Sequence, residues 1–309
     1  MNVLLIGEES AGIQMLRALQ QRREQNVVAV MASPSKIGAS LWNAASKLNI
    51  ETWPANLVKD PELAARLRTA NVDIVLNLHS LYLIHGSVLP APEIGAFNLH
   101  PGPLPRYAGL NAVSWAIYKG ESQHGATVHK MVPEIDAGPI VYQTMFRIEE
   151  NDTALSLSAK CAREGIALML RLLDTAAGDP SAIPLVAQDF SQREYFGTKV
   201  PQGGWISWSD PAKRIVDFVR ACDYPPFRSP WGHPRTTVDN REIAILKAAR
   251  TGIPCTVPPG TVMALAEDRA HVASADERVS VERVKVEKYV QKVGRVLKNG
   301  ECLGGSVSG

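Results

Sequence analysis

Val3-Leu-Leu-Ile-Gly7, followed by Ala11-Gly-Ile-Gln-Met-Leu-Arg-Ala-Leu-Gln20, sets the fold class at the start of the chain. Four apolar residues ending in glycine suit a buried strand, and Ile13, Leu16 and Leu19 then recur at helical spacing. Outward from there, residues 27–31 read as a second strand, 40–48 as a helix, 61–68 as a helix with proline in its first turn, and 74–78 as a third strand. Apolar strands that alternate with helices imply an α/β fold: a Rossmann-like, mostly parallel sheet with helices on both faces.

The same alternation continues to a strand at 96–100, a loop with Pro101, Pro103 and Pro105, a helix at 111–118 and strands at 126–131 and 140–148. A long helix over 153–177 follows, with Asp152 as its expected N-cap and Gly178 as its stop. These elements predict one α/β domain over 1–180. Residues 181–205 lack periodicity and read as a linker, and 206–309 as a C-terminal domain. That domain opens with a short helix at 211–221. Alternating strands separated by Pro258-Pro-Gly and Lys298-Asn-Gly then predict a small OB-like β-barrel.

Composition excludes several classes. Of 309 residues, 45% are hydrophobic, enough to build a large core without disulfide or metal staples. Thirty-three Lys and Arg against 31 Asp and Glu leave +2, so bulk charge announces neither a nucleic acid nor an anionic membrane. The four cysteines are far apart, and the N-terminus has no basic segment before its short apolar run. A cytoplasmic protein with no membrane span is expected. His79 and His85 have no acidic or cysteine partner at ligand spacing, so no metal site is expected.

The first turn, Gly7-Glu-Glu-Ser-Ala-Gly12, lacks both the dinucleotide and the P-loop glycine patterns, and its acidic residues would repel a pyrophosphate. It reads as a tight turn. More informative is Phe97-Asn-Leu-His-Pro-Gly-Pro-Leu-Pro-Arg-Tyr107. Asn98 and His100 are two apart at a strand end, so they share a face at the carboxyl edge where open α/β sheets bind ligands. A carboxamide donor can stabilise charge on a carbonyl oxygen while an imidazole moves a proton. By itself the pair is also what a capping Asn and a packed His would give. Downstream, Asp136-Ala-Gly138 places a carboxylate on a tight loop able to reach the strand edge, although Asp-x-Gly is also an ordinary turn.

Residues 97–109, Gly125-Ala-Thr-Val-His129 and Ile135-Asp-Ala-Gly-Pro-Ile140 together resemble the N10-formyltetrahydrofolate-dependent formyltransferases. That family includes methionyl-tRNA formyltransferase, glycinamide ribonucleotide transformylase and sugar N-formyltransferases. The resemblance spans about 1–180, and the later chain is similar to the C-terminal half of the tRNA and sugar enzymes. It implies Asn98, His100 and Asp136 as catalytic residues. It further implies that Leu81, Tyr82, Leu83 and Ile84, with Asp136, line the pocket for the co-substrate N10-formyltetrahydrofolate. Pro101, Gly102, Pro103, Arg106 and Tyr107 are then expected at the acceptor, and a homodimer is compatible with it.

The acceptor is less sharply drawn. Residues 252–309 hold eight Lys and Arg against seven Asp and Glu, and the segment after the second strand, 33–43, carries one lysine where tRNA enzymes tend to have a basic insertion. Gly102-Pro-Leu-Pro105 also replaces the usual Ser-Leu-Leu-Pro. These features favour a small-molecule amine (an amino sugar nucleotide, a hydroxyornithine-like precursor or a carrier-bound amine) over tRNA. Methionyl-tRNA formyltransferase and formyltetrahydrofolate hydrolase are the alternatives within the family, and a non-catalytic folate-binding protein is the alternative outside catalysis.

Overall fold

The computed structural model describes residues 1–35 and 40–304. Lys36, the lysine weighed against tRNA, lies outside the described residues. In chain order the first elements are β1 (Asn2–Gly7), α1 (Glu9–Gln20), β2 (Asn26–Ala32), α2 (Leu41–Lys47), β3 (Glu51–Pro54), α3 (Leu63–Thr69), β4 (Ile74–Leu78) and β5 (Gly95–His100). A short strand β6 (Ala108–Gly109), α4 (Ala112–Tyr118), β7 (Gln123–Lys130), β8 (Ile140–Arg147) and α5 (Ala154–Gly178) follow.

Seven strands form a sheet in the order β3-β2-β1-β4-β5-β7-β8. The pairs from β3 to β5 are parallel, and β7 joins β5 antiparallel. The order reverses direction at β1, and such a switch leaves a crevice beside the strand ends. Strand β3 had no counterpart in the sequence reading: four residues bounded by a proline are too few to show a period.

Alternation along the strands explains why both faces are covered. Val3, Leu5, Leu76, Leu78, Phe97 and Leu99 enter one buried cluster with Met169 and Leu172 of α5. Leu4, Ile6, Val75 and Ala96 enter another with Leu63 and Leu67 of α3. Asn77 and Asn98 therefore point to the second face, between residues that bury into the first. Helix α5 is capped by Thr153 rather than Asp152: Thr153 Oγ1 accepts from the Ser156 N–H, and Ser156 Oγ accepts from the Thr153 N–H. Asp152 instead accepts from the Glu149 N–H and the Ser156 hydroxyl.

The chain divides into two compact units, Met1–Gly109, Gly125–Phe146 and Ala159–Tyr195 in one, and Leu110–His124, Arg147–Ser158 and Phe196–Gly309 in the other. The second unit carries α6 (Ala212–Ala221) after the short β9 (Tyr195–Phe196), and then β10 (Arg235–Val238), β11 (Arg241–Pro254), β12 (Val262–Leu265), β13 (Ala270–Ala273), β14 (Glu277–Val286) and β15 (Tyr289–Gln291). Its strands pair antiparallel in the order β10-β11-β14-β13-β12, with β15 added on β14. Among the described residues these pairings leave the sheet open, where a closed barrel was expected. Three register shifts along β11 bend the sheet without closing it. Trp231 packs edge-on against Trp115, with ring centroids 4.9 Å apart, in an aromatic cluster of this unit.

Candidate active site

Three neighbouring strands set Asn77, Asn98 and His129 side by side, because the register pairs Asn77 with Asn98 and Asn98 with His129. The side chains complete that row. Asn77 Nδ2 donates to Asn98 Oδ1 at 2.7 Å, and Asn98 Nδ2 lies 3.1 Å from His129 Nε2. His129 Nδ1 faces the Lys130 carbonyl at 3.1 Å, and its Nε2 faces both Asn98 Nδ2 and Asp136 Oδ1. The Asn98 carboxamide is thus fixed at both ends. One N–H faces His129 Nε2, and among the described residues the second has no partner.

From His129 the network continues to Asp136, whose Oδ1 is 3.3 Å from His129 Nε2 and whose Oδ2 is 3.3 Å from His100 Nδ1. Oδ2 also accepts from the Gly109 backbone N–H at 2.8 Å. His100 Nε2 donates to the Tyr107 carbonyl at 2.7 Å. Both ring nitrogens of His100 therefore face acceptors, an arrangement that the protonated ring satisfies fully.

Charge follows from these contacts. Burial alone would push the Asp136 carboxyl upward, but the charge of His100, the hydrogen bond with His129 and the Gly109 N–H outweigh it and hold the group well below the usual carboxylate range. It stays ionised. Burial lowers the His100 imidazole below its ordinary value, while the Asp136 carboxylate and the Tyr107 carbonyl pull the other way.

Backbone geometry shows what holds the loops in place. Tyr107 and Asp136 adopt left-handed φ values of 59° and 51°, conformations that persist only where surroundings enforce them. For Asp136 the enforcement comes from Gln188, whose Nε2 donates to the Asp136 and Gly138 carbonyls at 2.9 and 2.6 Å, and from Arg193, which donates to the carbonyls of Asp136 and Ile135. Both lie in the stretch expected to be a linker. Gly138 is required by close approach, since a Cβ there would collide with the Lys130 carbonyl. The proline loop is tied down by Thr127, whose hydroxyl donates to the Gly102 carbonyl at 2.7 Å and accepts from the Leu104 N–H at 3.2 Å.

The other expected contacts divide. Leu81 and Leu83 present exposed side chains, 64% and 70%. Tyr82 and Ile84 pack against the core, with Lys59 over the Tyr82 ring. Among the acceptor-side residues, Pro101 and Pro103 are partly exposed, Gly102 is buried against His100, and Arg106 pairs with Glu194 at 3.1 Å. The Tyr107 side chain is buried, so this residue acts on the site through its carbonyl, not its ring. In the first turn, Glu8 accepts from the N–H and the hydroxyl of Ser33.

Two family models match the chain, Formyl transferase over residues 1–173 and Formyl transferase, C-terminal domain, over 200–298. The chain belongs to the formyl transferase family. This formyl transferase is also similar in fold to solved structures at low identity. WlaRD, a sugar 3N-formyl transferase solved in the presence of dTDP and 5-N-formyl-THF, is 18% identical with a TM-score of 0.70 over 91% of this chain and 97% of that one. The N-formyltransferase from Helicobacter canadensis, in complex with folinic acid and dTDP-3-aminofucose, is 16% identical with a TM-score of 0.68 over 91% and 98%. HypX from Aquifex aeolicus, in complex with tetrahydrofolic acid, is 18% identical with a TM-score of 0.60 over 96% of this formyl transferase and 46% of HypX.

Asn77 and His129 carry no role in the sequence analysis, where His79 enters only as a histidine without a metal-ligand partner. His129 stood inside a quoted motif, and only the register of β7 against β5 shows that it meets both Asn98 and Asp136. Among the described residues no helix is long and apolar enough to cross a membrane.

Proposed function

We propose that the protein transfers a formyl group from N10-formyltetrahydrofolate to the amino group of a small-molecule acceptor, with amino sugar nucleotides as the first class to test. The observation that carries this reading is the continuous Asn98, His129, Asp136, His100 network at the carboxyl ends of the parallel strands. Family membership supports the transferred group, and the folate and sugar-nucleotide ligands of the neighbours in fold support the two substrates.

The residues fit the co-substrate. Beside the polar row, Leu81 and Leu83 offer exposed apolar side chains against which a flat heterocycle can pack. N10-formyltetrahydrofolate supplies the activated formyl carbon. As the uncharged amine adds to that carbon, Asn98 gives its second N–H to the oxygen on which negative charge develops. His100, in its protonated form, stabilises the same charge through its own positive charge, and the ionised Asp136 keeps its ring oriented and favours that form. With both carboxylate oxygens already engaged, Asp136 orients His100 and does not serve as a base. The C–N10 bond then breaks, and the proton lost by the amine leaves with N10. Pro101, Gly102, Pro103 and Arg106 bound the acceptor side.

Residues 1–180 carry the transfer, with 181–205 as connection and 206–309 as an OB-like module left open. A homodimeric cytoplasmic enzyme completes the reading, and its mass in solution checks the dimer. Incubating the protein with N10-formyltetrahydrofolate and a panel of amino sugar nucleotides, hydroxyornithine, carrier-bound amino acids and initiator methionyl-tRNA should give one small product heavier by a formyl group. Formylated tRNA alone, or formate released equally without any amine, would replace this reading by one of the two alternatives.

A further inference from the structure

Asn98-Leu-His100 has a second copy in the chain, Asn77-Leu-His79, and the two lie on adjacent parallel strands in register: Asn77 beside Asn98 and Leu78 beside Leu99. The copies are treated differently by their surroundings. In β5 every polar side-chain atom described above has a protein partner. In β4 the hydrogen bonding stops short: Asn77, 8% exposed, gives its N–H to Asn98, but its Oδ1 is buried with no partner, and His79 Nε2 is likewise buried with no partner. Buried polar atoms are satisfied in folded proteins with few exceptions, so two orphans in three residues at a ligand-binding edge point to a group supplied by the ligand. His79 also holds a left-handed φ of 59°, as Tyr107 and Asp136 do.

We propose that this second Asn-Leu-His completes the acceptor subsite: Asn77 positions the Asn98 carboxamide, and His79 Nε2 accepts an N–H of the incoming amine. The proposal rests on the formyl-transfer reading above. The chemistry of the contact suits the reaction. A carboxylate at this place would bind the amine as ammonium, which has no lone pair to attack with, whereas an uncharged imidazole holds the neutral amine. Burial and the neighbouring charge of His100 lower the His79 imidazole to about 4, so the ring is uncharged at neutral pH.

The test uses hydroxylamine, a small primary amine nucleophile that is uncharged at neutral pH and needs no other acceptor pocket, with N10-formyltetrahydrofolate as donor. His79→Leu should lower kcat/KM for hydroxylamine about tenfold or more, the loss expected for one hydrogen bond. The KM for the donor and the affinity for tetrahydrofolate by calorimetry should not change. His79→Gln, which keeps an acceptor, should recover part of the loss. Asn77→Leu should lower kcat and leave both KM values in place, and Asn77→Ser, which keeps a donor, should restore part of kcat. A folded His79→Leu protein that deformylates the donor with hydroxylamine as wild type does, or that loses donor affinity in parallel, overturns the proposal alone. Wild-type protein that binds tetrahydrofolate but transfers formyl to no amine overturns the transfer reading, and this proposal with it.

Discussion

Asp136 Oδ2 stands 3.3 Å from His100 Nδ1, and the carboxylate reaches that position from a loop 36 residues further along the chain. Both side chains are almost fully buried, so the carboxylate acts on the ring with little solvent screening. Asp136→Asn keeps the shape and removes the charge. The expected outcome is a fall in kcat on the order of 100-fold with the KM for the donor little changed, read from steady-state kinetics.

Asn98→Ala removes the N–H aimed at the developing oxyanion. Turnover should drop on the order of 100- to 1000-fold, with circular dichroism and the melting curve showing a folded protein. His100→Ala should be at least as damaging, and near-wild-type turnover in it would defeat the assignment.

Acid should reveal the carboxylate. Because Asp136 is held below its ordinary value of 3.8, its contribution to stability is complete above that pH and is lost as pH falls below it. The difference in urea midpoint between wild type and Asp136→Asn should stay level from pH 7 to about 4 and shrink in more acid solution.

His79 works in the same direction over a higher pH window. Its depressed value means that the unfolded chain binds the proton between 6.5 and about 4 and the folded chain does not, so stability declines as pH is lowered through that interval. In His79→Leu this decline should be smaller, a difference readable from urea midpoints at pH 7 and 4.5.

Gly138→Ala would drive a methyl group into the Lys130 carbonyl at the foot of the Asp136 loop. Destabilisation of roughly 1–3 kcal/mol is expected, together with loss of turnover. Gly178→Ala, where a Cβ meets nothing within 4 Å, is the control and should leave both unchanged.

The α/β class was legible because Val3, Leu5, Leu76 and Leu78 bury on one face and Leu4, Ile6 and Val75 on the other, which leaves an uninterrupted apolar run in the sequence. Type and spacing placed Asn98 and His100 on one face of a strand end and Asp136 on a downstream loop, and only the family resemblance joined the three. Gln188 and Arg193 were not, because they hold the Asp136 loop through backbone carbonyls, which any sequence provides, from a stretch without periodicity. The open edge of the C-terminal sheet was also hidden: turn signals locate strands but not which of them pair last.

What the chain's order of residues determined alone was the strand and helix pattern and the chemical types gathered near Asn98, since both depend on local periodicity and local geometry. Tertiary structure decided the partners. Register across β4, β5 and β7 placed Asn77 and His129 on either side of Asn98, and folding of distant loops set His100 between Tyr107 and Asp136. Such contacts are made between segments far apart in sequence, and their distances exist only once the sheet has closed the gap.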